Sequence, residues 1–219
     1  MQEVSRAGGV SFFLCFLHYL MRKGRKMKLK LSKPDALIVV DVQKDFCPGG
    51  ALAVPSGDKV VPAVNGYIDK FTAKSLPVFA TRDWHPRNHI SFKAYGGIWP
   101  VHCVKETDGA EFHPDLRLPA SAVIISKATR SGKEAYSGFQ GTRLKSMLRR
   151  LSVQRVFIGG LATDYCVKNT VLDALVSGFT VFFLMDASRG VDVNPQDSEK
   201  AVEQMLDAGA SGITIEEIV

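Results

Sequence analysis

Five short segments of this sequence hold side chains whose types and spacing suit chemistry. Cys166, in GGLATDYC, lies between an apolar run and a helical pattern. A helix N-terminus there would lower the thiol pKa and offer backbone amides to an oxyanion. Asp41 directly follows ALIVV, inside DVQKDF, and a carboxylate desolvated at a strand end has the raised pKa of a general base. Asp83 and His85, in DWH, are two residues apart and face one side of an extended chain. With His102 of WPVHC they make a carboxylate and two imidazoles, a donor set for a divalent transition metal with positions left open. Lys127, in ISKATR, ends another apolar run in the same register as Asp41 and Asp83. His89 is open as a further ligand but is read, taken alone, as supporting this cluster or facing solvent, and His113 is read as structural. Each group taken alone is ordinary: most lone cysteines are small buried hydrophobes, the reading given to Cys15, Cys47 and Cys103. Several strand ends delivering reactive groups together are not ordinary.

The elements that must position these groups follow from periodicity. Ala36–Val40 is a continuous β-branched run, expected of a strand buried on both faces. Further strands are expected at Pro77–Thr81, Ala122–Ser126, Arg155–Ile158 and Thr180–Met185, with Ile213–Ile215 closing the sheet. Val60, Val61, Val64, Ile68 and Phe71 recur at helical spacing up to about Lys74. Other helical patterns cover 140–151, 164–177 and 196–208, with Gly178 and Gly209 as stops. This order predicts a single-domain, three-layer α/β/α fold with a mostly parallel sheet of roughly six strands and a site at the strands' carboxyl ends. Residues 83–120 lack periodicity, and a loop that long in a compact domain is usually functional.

Composition narrows the function classes. The 219 residues are 46% hydrophobic and 23% charged, which is ordinary globular composition. Residues 1–30 hold seven of the 28 basic residues and one of the 22 acidic ones, leaving 21 of each. The folded part is therefore neutral, which argues against nucleic acid as a partner. The apolar stretch 10–21 is too short to span a bilayer and precedes its basic cluster, the reverse of a signal peptide. Stable membrane insertion is not expected, although a short interfacial anchor stays open. Residues 1–30 are read as an extension outside the domain at 31–219, with Met27 the expected natural start. The loop after Asp41 has neither GxGxxG nor GxxxxGK[ST], which disfavours a dinucleotide or P-loop site.

Taken together, DVQKDFCPGGAL, TRDWHPRNHISF, WPVHCV, ISKATRSGKEAYSGF and GGLATDYCV resemble, in order, the nicotinamidase/pyrazinamidase branch of the isochorismatase-like cysteine hydrolases. The resemblance covers about 35–219. It implies a catalytic triad of Asp41, Lys127 and Cys166, and metal ligands Asp83, His85 and His102. It also implies a ring pocket of Phe46, Trp99 and Tyr136, and an oxyanion hole from Ala162 and Cys166 beside a cis Leu161–Ala162 bond. The implied reaction is hydrolysis of nicotinamide to nicotinate and ammonia through a cysteine thioester, with pyrazinamide as a further substrate. A divalent ion, zinc foremost with iron or manganese also suited, would position the pyridine ring. A cytoplasmic enzyme is expected, with homo-oligomerisation left open. Competing readings are a cysteine hydrolase of carbamoyl compounds, which leaves DWH and WPVHC without a purpose, and a catalytically silent metal-binding protein.

Overall fold

The structure, a computed structural model, describes residues 28–219. The tail at 1–27 lies outside the described residues. Six strands form one sheet: β1 (Asp35–Val40), β2 (Val78–Asp83), β3 (Val123–Lys127), β4 (Arg155–Leu161), β5 (Thr180–Arg189) and β6 (Ser211–Ile213). They lie in the order β3-β2-β1-β4-β5-β6, and every pairing is parallel. The chain winds outward from β1 in one direction and then from β4 in the other. A crevice consequently opens between the carboxyl ends of β1 and β4, the place where such sheets bind ligands.

The helices are α1 (Val60–Thr72), α2 (Leu144–Arg150), α3 (Lys168–Val176) and α4 (Asp197–Asp207). Strand residues alternate between two cores. Leu37 and Val39 face α1, which buries Val60, Val61, Val64, Tyr67, Ile68 and Phe71. Ala36, Ile38 and Val40 face the opposite layer, where Leu144 and Leu148 of α2, Val171 and Ala174 of α3, and Val202 and Met205 of α4 converge. Burial on both faces is why β1 carries no polar residue between Asp35 and Asp41.

Polar clamps hold the amino edge. Buried Asp35 accepts two bonds from Arg155, at 2.5 Å from Nε and 2.6 Å from Nη2, tying the first residues of β1 and β4 together. Leu29 pairs with the C-terminal segment: its N–H donates to Glu217 O at 2.7 Å, and its carbonyl accepts from Val219 N–H at 3.0 Å. On the opposite flank, Asn65 of α1 donates to Asp115 O and accepts from Arg117 N–H, pinning the far end of the 84–122 loop.

Several boundaries differ from those expected. The helix over 140–151 is confined to 144–150, because Gly141 adopts φ +69° and the Thr142 hydroxyl accepts the Leu144 N–H at 3.1 Å. β5 runs four residues past Met185, absorbed by a register shift against β4 between Ile158 and Gly160. The last strand falls at 211–213, since Thr214 and Glu217 form a reciprocal cap that starts a 3₁₀ turn. The helix over 164–177 opens with a π-helical turn, Thr163–Val167, before α3 begins. Among the described residues no helix is long and apolar enough to cross a membrane.

Phe71 is fully buried, edge-on to Phe157 at 5.1 Å. Phe71→Ala should lower unfolding stability in urea by about 3–5 kcal/mol. Val176→Ala, at a residue 86% exposed, should change it by less than about 0.5 kcal/mol.

Candidate active site

The reactive groups stand where the sheet ends. Asp83 and Lys127 are the last residues of β2 and β3 and are registered partners. Asp41 follows β1, and Cys166 sits in the π turn after β4. Two backbone features bring them close. Gly160 has φ +134°, and a Cβ there would fall 2.0 Å from Val40 O, so only glycine lets the end of β4 press against β1. Asp41 itself has φ +48°, which turns the chain off the strand end and into the site.

Lys127 is 1% exposed and its ammonium is the hub. Nζ lies 2.9 Å from Asp41 Oδ2, 2.6 Å from Asp83 Oδ1 and 3.3 Å from Cys166 Sγ. It also donates to Ala135 O at 3.2 Å. Asp41 Oδ1 accepts the Thr81 hydroxyl at 2.6 Å. Burial would strip Lys127 of its proton, but the two carboxylates outweigh it and hold the pKa well above the usual lysine value. Burial pushes Asp41 up, with Lys127 pulling the other way, as a general base requires. Asp83, although buried, is held below the ordinary carboxylate range by Lys127 and by the neighbouring His85.

Cys166 departs from expectation. It lies in the π turn rather than at the start of an α-helix, and its thiol is raised well above the usual value. Burial is the main cause, with Lys127 opposing it and Asp41 and Asp83 adding to it. The resting sulfur therefore keeps its proton, and an adjacent base must take it.

Asp83, His85 and His102 place one donor atom each within 4.8 Å of one another. Asp83 Oδ2 faces His85 Nε2 at 3.6 Å, while Oδ1 is bound to Lys127. His102 Nδ1 donates to Pro100 O at 2.8 Å, leaving Nε2 to ligate. Burial lowers its pKa to about 4, so the ring is neutral and able to bind metal. Both ring nitrogens of buried His85 lack a hydrogen-bond partner. Two buried carboxylates also share one ammonium, so the donor set fits a divalent cation. Phe92 packs edge-on to the rings of His85, His89 and His102, 5.4–5.9 Å away.

A cleft opens over these groups. Phe46, Trp99, Tyr136 and Ala162 line it together with Cys166 and the three metal-type donors. Trp99 donates its indole N–H to the Tyr136 hydroxyl at 3.0 Å. The Leu161–Ala162 bond is cis. His89 is fully buried rather than solvent-facing, and both its nitrogens are hydrogen-bonded. His113 accepts the Asp115 N–H at the rim of the loop.

Sequence reasoning missed several contributors. Tyr165 lines the cavity edge-on to Trp99 at 4.9 Å, and its place beside Cys166 was the available signal. Glu134, Ser91, Leu52 and Val191 complete the wall. Buried Gln43 holds Asp83 in place: its Nε2 donates to Asp83 O at 2.9 Å, and its Oε1 accepts Asp83 N–H at 2.8 Å. Asp45 accepts the Cys103 N–H at 2.7 Å, fixing the loop next to His102.

Lys127→Met should leave two carboxylates buried without their counter-charge. In the metal-free protein at pH 7 this should cost about 3–5 kcal/mol of stability. Asp83's lowered pKa stabilises the wild type above its unfolded value and stops doing so as pH falls through the folded one. The deficit of the variant, read from urea melts at a series of pH values, should therefore shrink on acidification. A pH-independent deficit would contradict the electrostatic role of Lys127.

Comparison with known proteins agrees with this geometry. Residues 35–217 match the isochorismatase domain family. The chain is 42% identical to the nicotinamidase of Escherichia coli K12 over 203 residues, which covers 83% of this chain and 95% of that protein. Among solved structures it resembles the pyrazinamidase of Pyrococcus horikoshii in complex with zinc, with a TM-score of 0.79 and 57% identity. That match covers 82% of this chain and 98% of the other. It also resembles an L. infantum protein in complex with nicotinate, with a TM-score of 0.82 and 32% identity over 88% of this chain and 99% of that one. With the strand-end cluster, the cavity and these likenesses in agreement, the chain belongs to the isochorismatase family, in its nicotinamidase/pyrazinamidase branch.

Proposed function

We propose that this protein hydrolyses nicotinamide to nicotinate and ammonia through a thioester on Cys166, and that it acts on pyrazinamide in the same way. The observation that carries this reading is the Lys127 ammonium in contact with Asp41, Asp83 and Cys166 at once. The hydrolase unit is taken as residues 31–219, with the family match inside it.

Asp41 takes the Cys166 proton as the sulfur attacks the amide carbon. Lys127, 3.3 Å from the sulfur, stabilises the negative charge that develops there. The amides of Ala162 and Cys166 would receive the oxyanion, each such donor being worth about 3 kcal/mol of barrier. The carbon–nitrogen bond breaks, and Asp41 returns its proton to the departing nitrogen, releasing ammonia. Water deprotonated by Asp41 then attacks the thioester, giving the carboxylic acid and restoring the thiol. Phe46, Trp99 and Tyr136 would hold the aromatic ring and exclude water. A divalent ion held by Asp83, His85 and His102 would supply an electrophilic anchor for the ring nitrogen and so orient the amide. Zinc is the ion favoured, supported by the zinc of the P. horikoshii relative, while iron and manganese suit the same donors. A cytoplasmic location goes with this reading, supported by free thiols at Cys47, Cys103 and Cys166.

Ammonia release from nicotinamide tests the proposal directly. Cys166→Ala should reduce it about a thousandfold or more, with folding and metal content unchanged; an active variant would exclude the thioester. His85→Ala should cut the metal content measured by elemental analysis and raise KM for nicotinamide. Full metal retention would remove His85 from the ligand set.

A further inference from the structure

Ser91 and His89 form a buried pair that the reaction above does not use. Ser91 is 5% exposed and lines the cavity together with Asp83, His85 and His102. His89 is fully buried, its ring 4.3 Å from that of His85. The bonding around His89 fixes its tautomer. The Ser91 backbone N–H points at Nδ1 from 3.2 Å, so Nδ1 carries a lone pair. Nε2, 3.2 Å from Lys133 O, must then carry the proton. Neither nitrogen is left to ligate an ion.

The same logic fixes the serine. Its Oγ lies 2.7 Å from Nδ1, so the hydroxyl must donate to that lone pair. The hydroxyl hydrogen is committed, and the oxygen can only accept from whatever occupies the cavity. What belongs beside three metal-type donors that leave coordination positions open is water polarised by the ion, an O–H donor.

We propose that His89 and Ser91 form a relay that orients water on the ion held by Asp83, His85 and His102. Ser91 Oγ accepts from that water, and His89, anchored on Lys133 O, keeps the oxygen an acceptor. Ser91 is a positioning residue for the ion, and His89 acts through it. The proposal rests on the metal reading given above.

Ser91→Ala is a clean test, because the residue 91 N–H still bonds His89 and the loop keeps its shape. Zn²⁺ affinity of the full chain would be measured by competition with a chelating dye, alongside melting curves with and without Zn²⁺. The variant should bind Zn²⁺ about tenfold more weakly, and its Zn²⁺-induced rise in Tm should shrink beyond the small fall in metal-free Tm that loss of the Ser91–His89 bond brings. Equal affinity in variant and wild type would overturn the relay, as would a fall in the metal-free Tm that accounts for the whole effect. Wild-type protein that takes up no Zn²⁺ would instead defeat the underlying metal reading, with the relay falling alongside it.

Discussion

A single ammonium buried among two carboxylates and a thiol is the constraint on which this molecule turns. A lysine with 1% exposure is tolerable only because Asp41 and Asp83 lie within 3 Å of it. Those two carboxylates, in turn, can share one small volume only because Lys127 stands between them. The parallel sheet makes this arrangement possible. Three neighbouring strands end together, so β1, β2 and β3 deliver Asp41, Asp83 and Lys127 to one level without long side-chain reaches. The π turn after β4 brings the sulfur from the opposite side of the crevice.

That shared lysine also joins two functions that look separate. Asp83 uses Oδ1 for the ion pair and Oδ2 for the histidine cluster, so one carboxylate belongs to both the surroundings of the Cys166 sulfur and the metal-type donors. Gln43 holds the Asp83 backbone on both its N–H and its C=O. The segment DVQKDF therefore contributes more than its aspartate: Asp41 faces the sulfur, Gln43 fixes Asp83, and Asp45 fixes the loop at Cys103.

Much of this was legible in the sequence because strand ends are. ALIVV followed by Asp41 and VFAT followed by Arg82 and Asp83 announce themselves by apolar runs that stop at a charge, and a buried parallel sheet leaves few other places for such residues. The link from Lys127 to Asp83 was not legible, because strand order and register decide which ends are neighbours, and periodicity is silent on both. Gln43, Asn65 and Asp45 were hidden for a related reason: each works by bonding backbone from a distant segment, and no local pattern marks such a bond. The cysteine's high proton affinity is hidden from the sequence, because the chain makes a wider turn where the pattern suggests a helix start, and because burial outweighs the lysine's pull. The shortened 144–150 helix reflects Gly141 and Thr142, whose local turn overrides the apolar spacing upstream.

The pairing of Leu29 with the 217–219 segment has a bearing on how the molecule could be rearranged. Lys30 O accepts from Arg155 at the first residue of β4, and Ile218 O accepts from Lys70 in the last turn of α1. Both ends of the fold therefore meet on the floor of the sheet, on the side away from the crevice. A fusion partner at either end would hang clear of the entrance. A short peptide could splice the two ends, allowing the chain to be reopened elsewhere as a circular permutant with its crevice undisturbed.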